Sequence, residues 1–171
     1  MGIHIRKAVP EDAHAYVLCN LACWRAAYRD IMPADYLESK AADVLQETED
    51  YRVSLQKPGA YAYFCVECAG EMVGRLVVCH SRDLDKPTSG EVAAIYLLEA
   101  FWGKGHGRAL MDFAVDVLRE RGYTEAYLWV LEENSRARRF YERYGFTFDG
   151  RRGEVVYGKS LTVLRYVLPL K

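Results

Sequence analysis

Apolar residues recur every three to four positions from Ala13 through Val17, Leu21, Trp24 and Tyr28, the spacing of one helix face. Pro10-Glu11-Asp12 stands just before this run, and proline with acidic residues suits a first helical turn. The pattern breaks at Asp30–Pro33. Pro33–Gln56 then predicts more helix, in one or two pieces with a mostly polar surface, stopped by Pro58-Gly59. Upstream, Ile3–Lys7 predicts a short strand. Downstream, Tyr61–Cys68 and Met72–Ser81 predict an antiparallel hairpin turning at Ala69-Gly70-Glu71. Ser81–Gly90 is polar and reads as a loop, and Glu91–Leu98 reads as a third strand. Arg108–Arg121 returns to helical spacing, with Leu110, Phe113, Ala114, Val117 and Leu118 on one side and Gly122 as its stop. Thr124–Leu131 is apolar on both faces, which predicts a central strand. Asn134 opens a short helix whose inner face carries Ala137, Phe140, Tyr141 and Tyr144, and Gly145 ends it. Strands around Phe146–Arg152 and Leu161–Leu168 close the chain. The order β-α-α-β-β-β-α-β-α-β-β predicts one α/β domain over 1–171, a mixed sheet flanked by helices.

Composition narrows the function classes. At 171 residues, 51% hydrophobic and 27% charged, the chain suits one domain with a substantial core. A formal net charge of -1 carries no basic footprint for nucleic acid or an anionic membrane. The opening MGIHIRKAVPEDAHAY lacks the apolar core of a signal peptide, and no apolar run nears the ~18 residues of a span. The expectation is a cytoplasmic protein without nucleic-acid or membrane partners. Five cysteines, Cys19, Cys23, Cys65, Cys68 and Cys79, are an odd number and make a poor disulfide framework. Cys65 and Cys68 have a C-x-x-C spacing but fall on a strand, where residues three apart face opposite ways. All five are expected to be buried free thiols, and no metal is expected.

Two glycine patterns bear on chemistry. Gly153–Ser160, GEVVYGKS, matches G-x-x-x-x-G-K-[ST] letter for letter. A phosphate loop of that kind needs a strand before it and a helix beginning at its Lys-Ser. Here the sequence after Ser160 is LTVLRYVLPLK, alternating and β-branched. A strand, a glycine turn and a strand are predicted instead, and nucleotide hydrolysis is excluded. The second pattern, Gly103-Lys104-Gly105-His106-Gly107-Arg108, lies between a predicted strand and a predicted amphipathic helix. Glycines there let backbone N–H groups close on an anion at a helix N-terminus, so phosphate binding is expected. Arg108 stands where the dinucleotide fingerprint needs its third glycine.

The segment EVAAIYLLEAFWGKGHGRALMDFAVDVLRERG, followed by AYLWVLEENSRARRFYERYGF, resembles the GCN5-related N-acetyltransferase (GNAT) superfamily, most specifically from Glu91 to about Phe148. The resemblance implies a mostly antiparallel sheet splayed at its centre. It implies an acetyl-coenzyme A cosubstrate whose pyrophosphate meets Gly103, Lys104, Gly105, His106, Gly107 and Arg108, and whose pantetheine arm runs beside Ile95, Tyr96 and Leu97. The family signature [Q/R]-x-x-G-x-[G/A] begins at Trp102, a departure that removes one polar contact. Asn134 matches a coenzyme-contacting asparagine, and on sequence alone is equally a helix cap. Tyr141 matches the tyrosine that protonates the departing thiolate, with Tyr144 assigned to packing. Glu91 matches the acidic base of some members, against the alternative of a solvated strand-end carboxylate. Trp24 and Tyr28 are expected to wall the acceptor pocket. The implied activity is direct transfer of acetyl to a primary amine of a small, polyamine-like molecule or a peptide. The alternative is a non-catalytic coenzyme A sensor on the same fold. The resemblance also allows a homodimer.

Overall fold

A computed structural model describes residues 2–57 and 59–170. Twelve principal elements follow the expected order: β1 (His4–Lys7), α1 (Ala13–Tyr28), α2 (Ala34–Ser39), α3 (Val44–Gln56), β2 (Tyr61–Cys68), β3 (Glu71–His80), β4 (Gly90–Leu97), α4 (His106–Glu120), β5 (Glu125–Leu131), α5 (Ser135–Tyr144), β6 (Thr147–Val156) and β7 (Ser160–Pro169). Pro10–Asp12 forms a short 3-10 turn that leads into α1, and a second one at Lys40–Asp43 divides α2 from α3. The proline of the expected Pro58-Gly59 helix stop lies outside the described residues.

The sheet order is β1-β2-β3-β4-β5-β7-β6, antiparallel except where β4 meets β5. That parallel contact covers two residue pairs, Gly90↔Ala126 and Glu91↔Tyr127, after which the strands part. β4 carries an extra residue there: Val78 faces Val92 while Val77 faces Ala94, so Ala93 bulges. A bulge bends its strand and sharpens the local twist. The result is a V-shaped opening in the middle of the sheet, with the C-terminal half of β4 unpaired on one side.

Helices cover both faces. α4 presents Leu110, Met111, Ala114, Val115 and Leu118 to the main core, with Phe113 and Val117 only half-buried at its flank. That shifts the inner stripe by one position from the sequence expectation, because Phe113 packs edge-on to Phe64 at the sheet margin. α1 and α3 cover the other face around Tyr16, Cys65 and Val77. All five cysteines are free and buried. GEVVYGKS is the β6–β7 hairpin. Gly158 sits at φ +72, and a Cβ there would lie 2.8 Å from the Tyr36 Cβ, so the turn is docked tightly on α2. Among the described residues, no helix is long and apolar enough to cross a membrane.

Candidate active site

The sheet opening continues into a cavity of about 1280 Å³, lined from β4, β5, α1, α5 and the glycine loop. Its geometry follows from backbone alternation. Leu98 N–H donates to Val73 O at 2.8 Å, so Leu98 and, two residues back, Tyr96 turn their backbone groups toward β3. Ile95 and Leu97 therefore turn theirs toward the opening. This corrects the expectation for Tyr96, whose backbone is used inside the sheet and whose side chain alone reaches the cavity. The Trp102 indole N–H donates to Leu97 O at 2.8 Å, leaving the Leu97 N–H and both Ile95 groups as the unpaired strand edge. At the signature's departure point, then, Trp102 buttresses the end of β4, and the Arg136 guanidinium lies 3.4 Å above its ring centroid.

The glycine loop has the form expected of an anion cradle. Gly103 and Gly105 sit at φ +70 and +83, a region that costs other residues ~1–2 kcal/mol. A Cβ at either would meet nothing within 4 Å, so conformation rather than crowding calls for glycine. The amides of Gly103 through Gly107 donate to no described backbone carbonyl, and the last two open α4, whose first N–H groups lack intrahelical partners. Arg108 departs from expectation: its N–H donates to Gly105 O at 3.1 Å, so only its side chain faces the cavity. His106 packs its ring 5.8 Å from Phe101, leaving its amide for the cradle.

Asn134 caps its helix, one of the two readings the sequence left open. Its Oδ1 accepts from Ala137 N–H at 3.1 Å as the cap of α5, while the buried side chain lines the cavity. Tyr141, about two helical turns on, is 9% exposed, and its hydroxyl has no hydrogen-bond partner among the described residues. Burial, with Tyr96 adding to it and Arg136 opposing, lifts its phenol well above the ordinary value. The neutral phenol belongs to a cavity-lining residue. Tyr144 is spent elsewhere, donating to Asp112 at 2.7 Å.

Glu91 is 1% exposed, which rules out the solvated strand-end alternative. Arg82 donates to it through Nε at 2.9 Å and Nη2 at 2.5 Å, and Tyr127 Oη donates at 2.9 Å. It is nevertheless a cavity-lining carboxylate. On the α1 side, Trp24 and Tyr28 pack edge-to-face at 5.3 Å, and the Tyr28 and Tyr96 hydroxyls meet at 2.9 Å. Tyr157, from the hairpin turn, adds a third aromatic wall 5.5 Å from Trp24. Sequence reasoning missed Arg75, Tyr51 and Asn20, which line the same cavity. Arg75 had a visible signal, a charge inside the otherwise apolar Met72–Cys79 run.

The acetyltransferase (GNAT) family model matches residues 24–146. An uncharacterized N-acetyltransferase of Bacillus subtilis, YuaI, is 30% identical over 132 residues, 77% of this chain and 73% of that one. Among solved structures, the PaiA N-acetyltransferase from Thermoplasma acidophilum in complex with coenzyme A aligns with a TM-score of 0.78 at 22% identity, over 96% of this chain and 98% of that one. YncA, a putative acetyltransferase from Salmonella typhimurium with its cofactor acetyl-CoA, aligns at 0.68 and 20% identity, over 100% and 95%.

Proposed function

The chain belongs to the acetyltransferase (GNAT) family, and on that premise we propose that it moves acetyl from acetyl-coenzyme A directly to a primary amine of a small molecule or peptide. The observation that carries the reading is the half-unpaired strand β4 ending at a cradle of free amides, a combination that fits an extended thioester arm with a diphosphate at one end. The coenzyme-bound Thermoplasma neighbour supports the same cosubstrate.

In this reading the free amides of Gly103 through Gly107 hold the pyrophosphate, with the Arg108 side chain at the mouth. Ile95 pairs with the pantetheine amides. The Leu97 N–H donates to the carbonyl oxygen of the thioester and stabilises the oxyanion formed when the amine nitrogen attacks. Collapse breaks the carbon–sulfur bond, the Tyr141 hydroxyl gives its proton to the departing sulfur, and the proton shed by the new amide nitrogen restores the phenol. The ammonium form of the acceptor loses its proton through water to Glu91, the one buried carboxylate among the described residues. Trp24, Tyr28 and Tyr157 shape the acceptor's entrance. A polyamine-like acceptor, one of those expected from sequence, would meet a fixed cation in this cavity, Arg75.

The test is free-thiol release from acetyl-coenzyme A with a panel of amines. Amine-dependent release supports transfer. Tight coenzyme binding without release for any amine would favour a sensor on the same fold.

A further inference from the structure

Arg75 sits in the middle of β3 and is 4% exposed. Its Cα partner across the ladder is Tyr96 of β4, so the two side chains share the α1 face of the sheet. The guanidinium lies 4.4 Å from the Tyr16 ring centroid and 5.3 Å from that of Tyr51. One nitrogen, Nη2, donates to Tyr51 Oη at 3.0 Å. The other two, Nε and Nη1, are buried and have no partner. No described carboxylate forms an ion pair with it.

This is an expensive arrangement. An arginine stays charged at any physiological pH. A buried charge without a counter-ion is strongly destabilising, and aromatic faces offset only part of that cost. Core packing alone gives no reason for a cation here, since an apolar side chain of similar size would fill the position. The cavity does give one: Arg75 forms part of its wall, with Tyr51 and Asn20 beside it. The lining carboxylates do not serve Arg75, because Glu91 is held by Arg82 and Glu154 stands at the exposed rim.

We propose that Arg75 is an anion-recognition residue at the closed end of the acceptor site, and that the acceptor is a compact primary amine carrying its own carboxylate, as an amino acid does. The inference rests on the transferase reading above and names its substrate class. Its geometry follows from the sheet. The reacting amine must reach the Leu97 edge of β4, and Arg75 stands on the neighbouring strand with its side chain on the α1 face of the sheet. One compact molecule therefore presents its amine to that edge and its carboxylate to the guanidinium. The guanidinium offers planar, charge-assisted donors to the carboxylate, with the Tyr51 hydroxyl as neighbour. Di- and polyamines place a second cation against Arg75 and are rejected.

The test compares binding and turnover in matched pairs. Four N-acetyl amino acids (alanine, methionine, phenylalanine, glutamate) and their C-terminal methylamides are titrated into the coenzyme A-bound protein. At least one carboxylate should bind at least tenfold more tightly than its methylamide. The preference should vanish in Arg75→Met and survive in part in Arg75→Lys. Coenzyme A affinity and thermal unfolding report whether each variant is folded, and Arg75→Gln replaces Arg75→Met if that variant is not. The inference is overturned if no carboxylate of the four is preferred, or if the preference persists without the guanidinium. Failure of the transferase reading looks different: carboxylate-selective binding with no thiol release from acetyl-coenzyme A for any of the four free amino acids.

Discussion

Removing the Tyr141 hydroxyl isolates one chemical step. The ring is buried against Phe140 and Phe146, at centroid distances of 5.4 and 6.1 Å, and Tyr141→Phe keeps that packing. The hydroxyl has no described partner to lose, so stability should stay within ~0.5 kcal/mol of the parent. Catalysis should not be spared. General acids contribute ~10²–10⁴-fold. Tyr141 belongs at the low end, because an ordinary phenol near ~10 is already a weaker acid than a thiol near ~8.5, and burial raises this phenol further. The expected loss is ~100-fold in kcat, ~2.7 kcal/mol of barrier, with coenzyme affinity unchanged. The sign of the pH effect follows from the protonated form being the active one. Because its pKa is raised, Tyr141 keeps its proton through neutral and moderately alkaline pH, and any falling limb below pH ~10 belongs to another group. Tyr144→Phe is the control. It breaks the bond to Asp112, costs ~1 kcal/mol of stability at most and leaves kcat intact. Steady-state kinetics with thermal unfolding on both variants decides the matter. A Tyr141→Phe enzyme within twofold of the parent kcat would refute the assignment.

Three further outcomes are expected. Gly105→Ala places a Cβ at φ +83, costing ~1–2 kcal/mol, and should weaken coenzyme A at least tenfold by calorimetry; unchanged affinity would remove the loop from the phosphate site. Glu91→Gln should lower kcat/KM at least tenfold with coenzyme A affinity unchanged, whereas lost stability with unaltered kcat/KM would make Glu91 purely structural. Asp85, held by the Arg165 guanidinium, has its carboxyl lowered to about 2, so it supports the fold above its ordinary value of 3.8 and loses that role as pH falls through about 2. A carboxyl titration by NMR should show that midpoint, and Arg165→Met should return it to the ordinary range.

Element order and the glycine turn that opens α4 were legible because local chemistry dictates both. Helical spacing, caps such as Asn134 and glycines at positive φ act over a few residues. Rejection of a nucleotide loop at GEVVYGKS rested on the same kind of signal, the alternation after Ser160, and that stretch is a hairpin turn. Its Tyr157 also walls the cavity beside Trp24, a contact that depends on how the hairpin folds back over α1. What the sequence could not supply was long-range. The turning of Tyr96's backbone into the sheet depends on its register with β3, and the loss of Arg108's amide depends on how the loop closes on Gly105. Glu91's ties to Arg82 and Tyr127 join three elements. Arg75 was visible as a charge in an apolar run, but its lack of a counter-ion emerges only when α1 and α3 close over β3.

A single-turnover experiment tests direct transfer inside one cavity. Protein in excess over labelled acetyl-coenzyme A is mixed with an amino acid acceptor, quenched at short times, and both protein and small molecules are weighed by mass spectrometry. Label should pass from coenzyme to amine at the rate of thiol release, with none found on the chain. Label accumulating on the protein, at a cysteine or elsewhere, before it reaches the amine would contradict direct transfer.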